Sequence, residues 1–412
     1  MSLYPGGVNQ RPVIAWPPAT ASAAEIVADI DVLTRAMDGT GPAIATAGII
    51  DPTQTPTVPA DAAVVIGTSG TTGPPKPALL PASALLAGRE GACFDGTGAP
   101  GQWLLAVPPA HITGLCVMLR SLRAGYLPVP IQPGHFGPQS FVEATRRLDP
   151  SAPAHYTTLV PTQLRRVLDD PDAVAAARTY DQILVGAAPL PDVDRHRAEA
   201  MGIRIVEGYG LSETAGGCVY DGLPLPGTRL RVEDDDVTED TGVGQGRSTG
   251  RIVIGGPRVA LGYLGRPDAD EDFWTDEEGV RWFRTSDHGY LDDDGRLHVV
   301  GRVDDVINTG GLKVAPTVVE SAARAARIPG LLDLMVVGVP DDEWGQAITL
   351  VTVTADGHQV TLPQVRSLLA DHLPGYALPR RVVNVPAIPL VGPAKPDRRA
   401  GLRLAMGHMV SL

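Results

Sequence analysis

Short apolar runs that end in glycine- or proline-rich turns alternate with helix-like stretches in the first part of the chain. Apolar residues recur at helical spacing over residues 21–37, which predicts a surface helix ended by Gly39. Continuous apolar runs predict strands at residues 62–67, 103–107, 182–186 and 203–207. The last two strands flank a helical pattern, as in a βαβ unit, so we expect an α/β fold over about the first three hundred residues.

The pattern changes to short alternating runs between residues 227 and 298, with acidic and glycine turns that indicate antiparallel hairpins. Beyond Asp304, the pattern predicts a small α+β domain, with a helix, two strands and a helix at residues 316–326, 334–339, 348–354 and 362–372. The predicted division is a large N-terminal domain of α/β layers with a hairpin-rich part, residues 1–303, and a small C-terminal domain, residues 304–412.

Composition narrows the class of protein. A length of 412 residues suits two domains, and 34 Lys and Arg against 47 Asp and Glu give a net charge of −13, which disfavours a nucleic-acid partner. Cys93, Cys116 and Cys218 form no CxxC pair, which fits a reducing cytoplasm. The start of the chain lacks a signal-peptide pattern, and no apolar run reaches the ~18 residues that span a bilayer, so we expect a cytoplasmic protein without membrane insertion.

The stretch TSGTTGPPK, residues 68–76, directly follows a predicted buried strand. Its glycines let the backbone approach an anion, its hydroxyls can donate to phosphate oxygens, and Lys76 can neutralise charge. The pattern therefore predicts a polyphosphate-binding loop, with a flexible surface turn as the alternative. It is not a Walker loop, because Lys76 is followed by Pro77 and not by Ser or Thr.

The stretch GYGLSET, residues 208–214, follows the strand predicted at residues 203–207. Open α/β sheets bind ligands at such strand ends, where Tyr209 can stack on a base and Glu213 can hold magnesium beside phosphate. The alternative is a packed tyrosine and a solvated carboxylate.

Two further stretches, RTSD ending at Asp287 and GRVDD with Arg302, place a carboxylate and a guanidinium on neighbouring hairpin elements. Asp287 can accept hydrogen bonds from ribose hydroxyls. A purely structural salt bridge between the two residues is the alternative.

Together, these stretches resemble successive signatures of the adenylate-forming acyl- and aryl-CoA synthetases. TSGTTGPPK, GYGLSET, RTSD and GRVDDVINTGGLKVAP occur in the family's order, and GPAKPDRRA supplies a late lysine segment, so the resemblance extends from about Ala62 to about Ala400. The chain is therefore identified as a member of this family, which implies a mobile C-terminal lid domain that carries a catalytic lysine.

The resemblance also implies a role for each matching residue. The phosphate loop would bind ATP through Thr68, Ser69, Gly70, Thr71, Thr72, Gly73 and Lys76. Tyr209 would stack on adenine within the segment that includes Gly208, Gly210 and Ser212, and Glu213, with Thr71, would coordinate Mg²⁺. Asp287, assisted by Arg302, would hold the ribose. Asp304 would be the hinge, and Lys395 would reach the α-phosphate and the acid during adenylation, so that Lys395, Glu213 and Lys76 are the predicted catalytic residues.

The sequence departs from the family pattern at three places. Pro77 stands where a glycine usually follows the loop lysine, and Ala394 stands where a glycine usually precedes the late lysine. Only about sixty residues precede the phosphate loop. The resemblance therefore leads us to expect that part of the usual N-terminal subdomain is missing or reduced.

Three local sequences resemble the compact actinobacterial o-succinylbenzoate-CoA ligases of menaquinone biosynthesis: PAHITG at 109–114, LVPTQL at 159–164 and GGCVYDG at 216–222. The likeness implies an acyl pocket entered beside His111, with a core or surface histidine as the alternative. The small residues Gly186, Ala187 and Ala188 could form a wall against an aromatic ring. Thr158 is a candidate donor to a substrate carboxylate, unless its hydroxyl bonds locally.

The predicted function is an ATP-dependent acid-thiol ligase that uses Mg²⁺ and CoA to convert o-succinylbenzoate into its CoA thioester, AMP and pyrophosphate. The alternatives are another aryl- or acyl-CoA synthetase, an enzyme that loads a carrier protein, or a catalytically silent nucleotide-binding relative. Beyond ATP, CoA and a small carboxylic acid, the resemblance implies only a possible homodimer as a partner.

Overall fold

The structure is a computed structural model of the chain. It describes residues 9–17, 21–46, 48–50, 56–68, 75–87, 99–132, 136–234, 249–391 and 395–410. Its contacts divide the chain into two compact units: unit 1 comprises Met1–Leu190, Asp194–Leu230 and Ile254–Arg284, and unit 2 comprises Pro191–Val193, Arg231–Val253 and Thr285–Leu412. The domain boundary predicted at residue 304 stays a prediction.

The described strands and helices follow one another in chain order. The strands are β1 (Gln10–Ala15), β2 (Ala43–Ala45), β3 (Thr57–Pro59), β4 (Ala62–Gly67), β5 (Pro77–Pro81), β6 (Gln102–Leu105), β7 (Val129–Pro130), β8 (His155–Leu159), β9 (Gln182–Gly186), β10 (Ile205–Leu211), β11 (Gly216–Tyr220), β12 (Leu223–Pro224), β13 (Arg229–Glu233), β14 (Gly250–Gly255), β15 (Phe273–Thr275), β16 (Arg281–Leu291), β17 (Leu297–Arg302), β18 (Ile307–Thr309), β19 (Leu312–Val314), β20 (Leu331–Asp341), β21 (Gly345–Thr354), β22 (Arg381–Asn384), β23 (Leu390–Val391) and β24 (Lys395–Pro396). The helices are α1 (Ala23–Ala28), α2 (Asp31–Asp38), α3 (Ala82–Leu86), α4 (Ile112–Arg123), α5 (Pro138–Thr145), α6 (Pro161–Leu168), α7 (Pro171–Ala177), α8 (Asp192–Ala200), α9 (Pro316–Ala325), α10 (Leu362–Leu369) and α11 (Arg398–Val410).

Two of the described sheets lie wholly in unit 1. The first has the order β3-β1-β2-β4-β5, and β4 is buried along almost its whole length, as its unbroken apolar sequence predicts. The second has the order β12-β11-β10-β9-β8-β6-β7. Strands β6, β8, β9 and β10 are parallel to one another, so their carboxyl ends share one edge. The predicted α/β class is confirmed.

The helix predicted over residues 21–37 is two helices, α1 and α2. A capping box between Ser22 and Glu25 starts α1, and α1 ends at Asp29, whose carboxylate accepts a hydrogen bond from Trp16 Nε1. Ile26 and Leu33 are nevertheless both buried, because the apolar spacing places them on the core side in either arrangement. The pattern therefore identified the buried face correctly and missed the break.

Unit 2 is built on an antiparallel sheet of order β19-β18-β21-β20, with β22 parallel to β21. Helices α9 and α10 contribute Val319, Val365 and Leu369 to a core with Leu334 and Val336 of β20. Strands β16 and β17 form one of the predicted antiparallel hairpins. Helix α9 ends one residue before its predicted end, and α10 ends three residues before its predicted end. Both predicted helices and both predicted strands are present, which confirms the α+β arrangement.

No helix among the described residues is both long and apolar enough to cross a bilayer.

Candidate active site

The residues predicted to line an acid pocket lie along the carboxyl edge of the second sheet. His111 follows β6, Thr158 is the penultimate residue of β8, and Gly186 is the last residue of β9. Because these strands are parallel, their carboxyl ends lie side by side, the place where open α/β sheets bind ligands.

His111 is the residue from which helix α4 begins. Its backbone amide donates to Pro108 O and its carbonyl accepts from Leu115 N, which fixes the turn between β6 and α4. A Cβ atom on Gly114 would lie 2.2 Å from Pro108 O, so only glycine allows the helix to start this close to the turn. His111 is half-buried, which places it neither in the core nor on the open surface.

Thr158 is fully buried, and its hydroxyl has no hydrogen-bond partner within the part of the chain that the structure describes. Its neighbour Thr157, also fully buried, donates to Leu104 O at 3.1 Å. The sequence left open whether the Thr158 hydroxyl makes a local hydrogen bond. Thr157 makes such a bond, and Thr158 makes none among the described residues. Because a buried hydroxyl without a partner costs free energy, Thr158 is suited to receive a polar ligand.

The segment after β9 is tightly constrained. A Cβ atom on Gly186 would lie 2.8 Å from Gly208 O of β10, so this position has no room for a side chain. Ala187 adopts a left-handed backbone with φ of 67°, a conformation that costs an alanine about 1–2 kcal/mol. Strained backbone of this kind persists where its surroundings enforce it, often at ligand sites.

The sequence predicted that GYGLSET follows a strand ending at residue 207, but its first four residues, GYGL, belong to that strand. Strand β10 continues to Leu211, and Gly208 to Leu211 pair with β11. Glycine is needed within the strand, because a Cβ atom on Gly210 would lie 2.2 Å from Gly216 O. Tyr209 is half-buried near the end of β10, and Ser212 begins the short 3₁₀ helix Ser212–Thr214 that follows.

Glu213 lies in that 3₁₀ helix and is only 7% exposed, so it is not the solvated surface carboxylate of the alternative interpretation. Its backbone carbonyl accepts from Ala260 N, and its Oε1 accepts a hydrogen bond of 2.7 Å from the Tyr263 hydroxyl. Burial, and then the Glu213 carboxylate, raise the pKa of Tyr263, so its phenol remains a donor. Sequence reasoning missed Tyr263, because fifty residues separate it from Glu213.

The two ends of the predicted phosphate loop are joined. Thr68 N donates to Lys76 O, and Lys76 N donates to Thr68 Oγ1. Pro77 is the first residue of β5, opposite Gly67, a position where a strand tolerates proline. The predicted loop residues Ser69, Gly70, Thr71, Thr72 and Gly73 lie outside the described residues.

Lys76 has its Nζ 5.2 Å from the centre of the Tyr263 ring. This distance is within the range of a cation–π interaction. Lys76 and Glu213 therefore contact the same aromatic side chain, on its face and at its hydroxyl.

In unit 2, Asp287 and Arg302 are direct partners across the β16–β17 hairpin. Arg302 Nη1 lies 3.4 Å from Asp287 Oδ1, and Nη2 lies 3.3 Å from Oδ2 of the predicted hinge residue Asp304. Burial alone lowers the pKa of Arg302, but the carboxylates of Asp287, Asp304 and Asp305 outweigh it and raise the pKa. The structural salt bridge is thus present, and a ribose-binding role for Asp287 stays a prediction.

Lys395 lies in the two-residue strand β24, which pairs with β23 through Val391. Asp397 N donates to Pro389 O just beyond this pair, and α11 begins at Arg398. The lysine backbone is therefore held by a short ribbon. Ala394 and the Lys395 side chain lie outside what the structure describes.

No group of three or more His, Cys, Asp or Glu residues suited to a metal occurs among the described residues. A single carboxylate such as that of Glu213 can be enough for Mg²⁺, because proteins usually hold this ion through one or two carboxylates together with substrate phosphates and water. The role of Glu213 as a magnesium ligand stays a prediction.

Family models match this chain in two regions. The family model described as AMP-binding enzyme matches residues 12–264, and the model described as AMP-binding enzyme C-terminal domain matches residues 319–395. The chain belongs to the AMP-binding enzyme family. It is 42% identical over 352 residues to a protein of Mycobacterium tuberculosis strain H37Rv named probable 2-succinylbenzoate-CoA ligase, an alignment that covers 84% of this chain and 86% of that protein.

Two solved structures share the fold. The ATP-bound MatB of Rhodopseudomonas palustris superposes with a TM-score of 0.72 at 24% identity, covering 96% of this chain and 79% of that one. The o-succinylbenzoate CoA synthetase MenE of Bacillus subtilis, in complex with the acyl-adenylate intermediate OSB-AMP, also gives 0.72, at 22% identity, covering 94% of this chain and 87% of that one.

Proposed function

We propose that this chain is an ATP-dependent acid-thiol ligase that adenylates 2-succinylbenzoate, also called o-succinylbenzoate, and transfers the acyl group to CoA. The observation that carries the choice of acid is the 42% identity to the M. tuberculosis ligase, which extends over most of both chains. The products are the CoA thioester, AMP and pyrophosphate, a step of menaquinone biosynthesis. Since ATP and CoA are cytoplasmic substrates, we place the reaction in the cytoplasm; a homodimer stays an expectation from the family.

A carboxylate is a poor acyl donor, and the first half-reaction corrects this. A carboxylate oxygen of the acid attacks the α-phosphorus of ATP, the bond to the β-phosphate oxygen breaks, and pyrophosphate leaves. The CoA sulfur then attacks the acyl carbon, the thiol proton is released, and AMP leaves. No protein nucleophile is required, which agrees with the burial of Cys116 and Cys218.

The family resemblance assigns a nucleotide-binding role to each of several residues. Lys76 and Thr68, with the loop between them, would bind the phosphates, Tyr209 would stack on adenine, and Asp287 with Arg302 would hold the ribose. Glu213, with Thr71, would hold Mg²⁺, which when bound offsets the charge of the leaving pyrophosphate.

Lys395 would neutralise the charge that develops on the α-phosphate, an interaction stronger in the transition state than before it. The acid would lie at the carboxyl edge of the second sheet, between His111, Thr158 and the segment Gly186, Ala187 and Ala188. There the Thr158 hydroxyl, which has no partner among the described residues, can donate to a carboxylate.

The test compares AMP formation, dependent on ATP and CoA, with 2-succinylbenzoate, benzoate and a medium-chain fatty acid, and identifies each thioester by mass. We expect strong preference for 2-succinylbenzoate, and a loss of adenylation by about 100-fold or more in Lys395→Ala. The exposed Arg399 supplies the matched control, since Arg399→Ala should leave both half-reactions intact. If all three acids fail while ATP binds, the choice of acid is wrong; native adenylation by Lys395→Ala would remove the role of Lys395.

A further inference from the structure

Tyr263 contacts both groups that the proposed function assigns to the metal and the phosphates. Its hydroxyl donates to Glu213 Oε1 at 2.7 Å, and its ring lies beneath the Lys76 ammonium at 5.2 Å. The three residues are far apart in the sequence, and Tyr263 is only 3% exposed. This one side chain therefore links the carboxylate to the lysine inside unit 1.

The backbone around Tyr263 is fastened to strand β5. Leu79 exchanges hydrogen bonds with this segment, donating to Gly262 O and accepting from Leu261 N, both at 2.9 Å, and Leu264 N donates to Pro77 O at 2.8 Å. The segment is thus tied to the strand that begins directly after Lys76. On its other side, Ala260 N donates to the backbone carbonyl of Glu213.

The side-chain environment fixes Tyr263 as well. Tyr263 N donates to Asp270 Oδ1 at 2.8 Å, and the ring packs edge-on against Phe273 with centroids 5.2 Å apart. Gly262 has φ of 134°, and a Cβ atom there would lie 2.8 Å from the same Asp270 oxygen. Asp270 can therefore approach this closely only because residue 262 is glycine. The hydrogen bond to Asp270 and the contact with Phe273 together hold Tyr263 in place.

We propose that Tyr263 is a positioning residue that orients the Glu213 carboxylate for Mg²⁺ and aligns Lys76 for the phosphates. The inference rests on the proposed function. A carboxylate can rotate and offer either oxygen to a cation, and the donor on Oε1 limits that rotation. Loss of such an outer partner commonly lowers metal affinity or activity about 10- to 100-fold.

Two substitutions separate the two contacts. Tyr263→Phe removes the hydroxyl and keeps the ring beneath Lys76, whereas Tyr263→Leu removes both. Tyr180→Phe is the matched control, because the Tyr180 hydroxyl is also buried and hydrogen-bonded, at 2.8 Å to Thr145 Oγ1, in the packed interior beside Phe141. It removes a comparable hydrogen bond from the same unit without touching Glu213 or Lys76.

The readout is calorimetric binding of a non-hydrolysable ATP analogue to the full chain, with and without Mg²⁺, with the thermal midpoint of each variant as a check of folding. We expect Tyr263→Phe to reduce the gain in affinity due to Mg²⁺ by about 10- to 100-fold and to leave metal-free binding unchanged. Tyr263→Leu should also weaken metal-free binding, and Tyr180→Phe should match the wild type in both.

The outcomes distinguish this inference from the proposed function. If the wild type binds the analogue with no effect of Mg²⁺, the proposed metal-dependent ligase itself is wrong. If the wild type responds to Mg²⁺ and Tyr263→Phe responds equally, the positioning role of Tyr263 is overturned. An equal loss in Tyr263→Phe and Tyr180→Phe would also overturn it, because the effect would then follow from any lost buried hydroxyl.

Discussion

Arg398 donates hydrogen bonds to both carboxylate oxygens of Glu320, although 78 residues separate them in the sequence. The same guanidinium also bonds Asp305 Oδ2 at 3.2 Å and Val336 O at 2.8 Å. Arg398 begins the helix directly after the Lys395 strand, and Asp305 directly follows the predicted hinge residue. A largely buried ion-pair network thus ties the end of the lysine segment to the start of the β18 region within unit 2.

The two carboxylates of this network differ in their response to pH. Burial alone raises the pKa of Glu320, but attraction to Arg398 and its hydrogen bonds outweigh burial and hold the pKa below its ordinary value. Glu320 therefore adds stability that is present above about pH 4.5 and is lost as the pH falls through the folded-state pKa. For Asp305 burial prevails and raises the pKa, so its contribution is present below about pH 3.9 and is lost as the pH rises.

Glu320→Gln should consequently destabilise the folded chain at pH 7 by about 3–5 kcal/mol, since it removes the main counter-charge of a buried arginine. Asp305→Asn should lower the free energy of unfolding by clearly less, because burial already disfavours the ionised form of Asp305. Urea denaturation followed by tryptophan fluorescence at pH 7 and pH 4 measures both. An Asp305→Asn variant less stable than Glu320→Gln at pH 7 would contradict the assignment.

The pattern of apolar residues predicted those strands whose position depends only on the neighbouring sequence. The unbroken apolar runs of β4 and β9 gave their bounds, because a buried strand flanked by glycine has few alternatives. The strand predicted to end at residue 207 continues to Leu211, and the need for Gly210 in it arises only from the approach of β11. Ordered family signatures made Glu213 and Lys76 candidates, and their roles stay predictions. Tyr263 and the Arg398 network depend on contacts across the fold that no local pattern encodes.

Thr158→Val should stabilise the protein by about 1 kcal/mol, because it replaces a buried hydroxyl that has no partner in the described structure by a methyl group of similar size. The same substitution should raise KM for the acid and leave KM for ATP unchanged. Thr157→Val is the control with the opposite sign, since the Thr157 hydroxyl donates to Leu104 O. Denaturation midpoints and steady-state kinetics of the two variants give the comparison, and equal destabilisation by both would count against an unpartnered Thr158.

Ala187→Gly should leave stability unchanged or raise it by up to about 1 kcal/mol, because glycine relieves the positive φ while it increases the entropy of the unfolded chain. Ala188→Gly should destabilise by about 0.5–1 kcal/mol, since that position lacks the positive φ. Thermal midpoints of the two variants, measured in parallel with the wild type, test both expected changes in stability. Because we propose that both alanines border the acid, each substitution is also expected to change the preference between aromatic acids.

Asp304→Pro tests the hinge that the family resemblance assigns to the short 3₁₀ helix Val303–Asp305. Proline fixes φ near −65°, which a 3₁₀ helix accommodates, so the arrangement in the structure should persist while rotation about this residue is restricted. We expect adenylation, measured by pyrophosphate exchange, to remain largely intact and thioester formation from preformed acyl-adenylate to slow.

Asp304→Ala removes the same carboxylate, and with it the contact to Arg302, without restricting the backbone. If Asp304→Ala slows thioester formation as much as proline does, the carboxylate and not the hinge is responsible. Equal loss of both half-reactions in Asp304→Pro would argue against domain alternation at this residue.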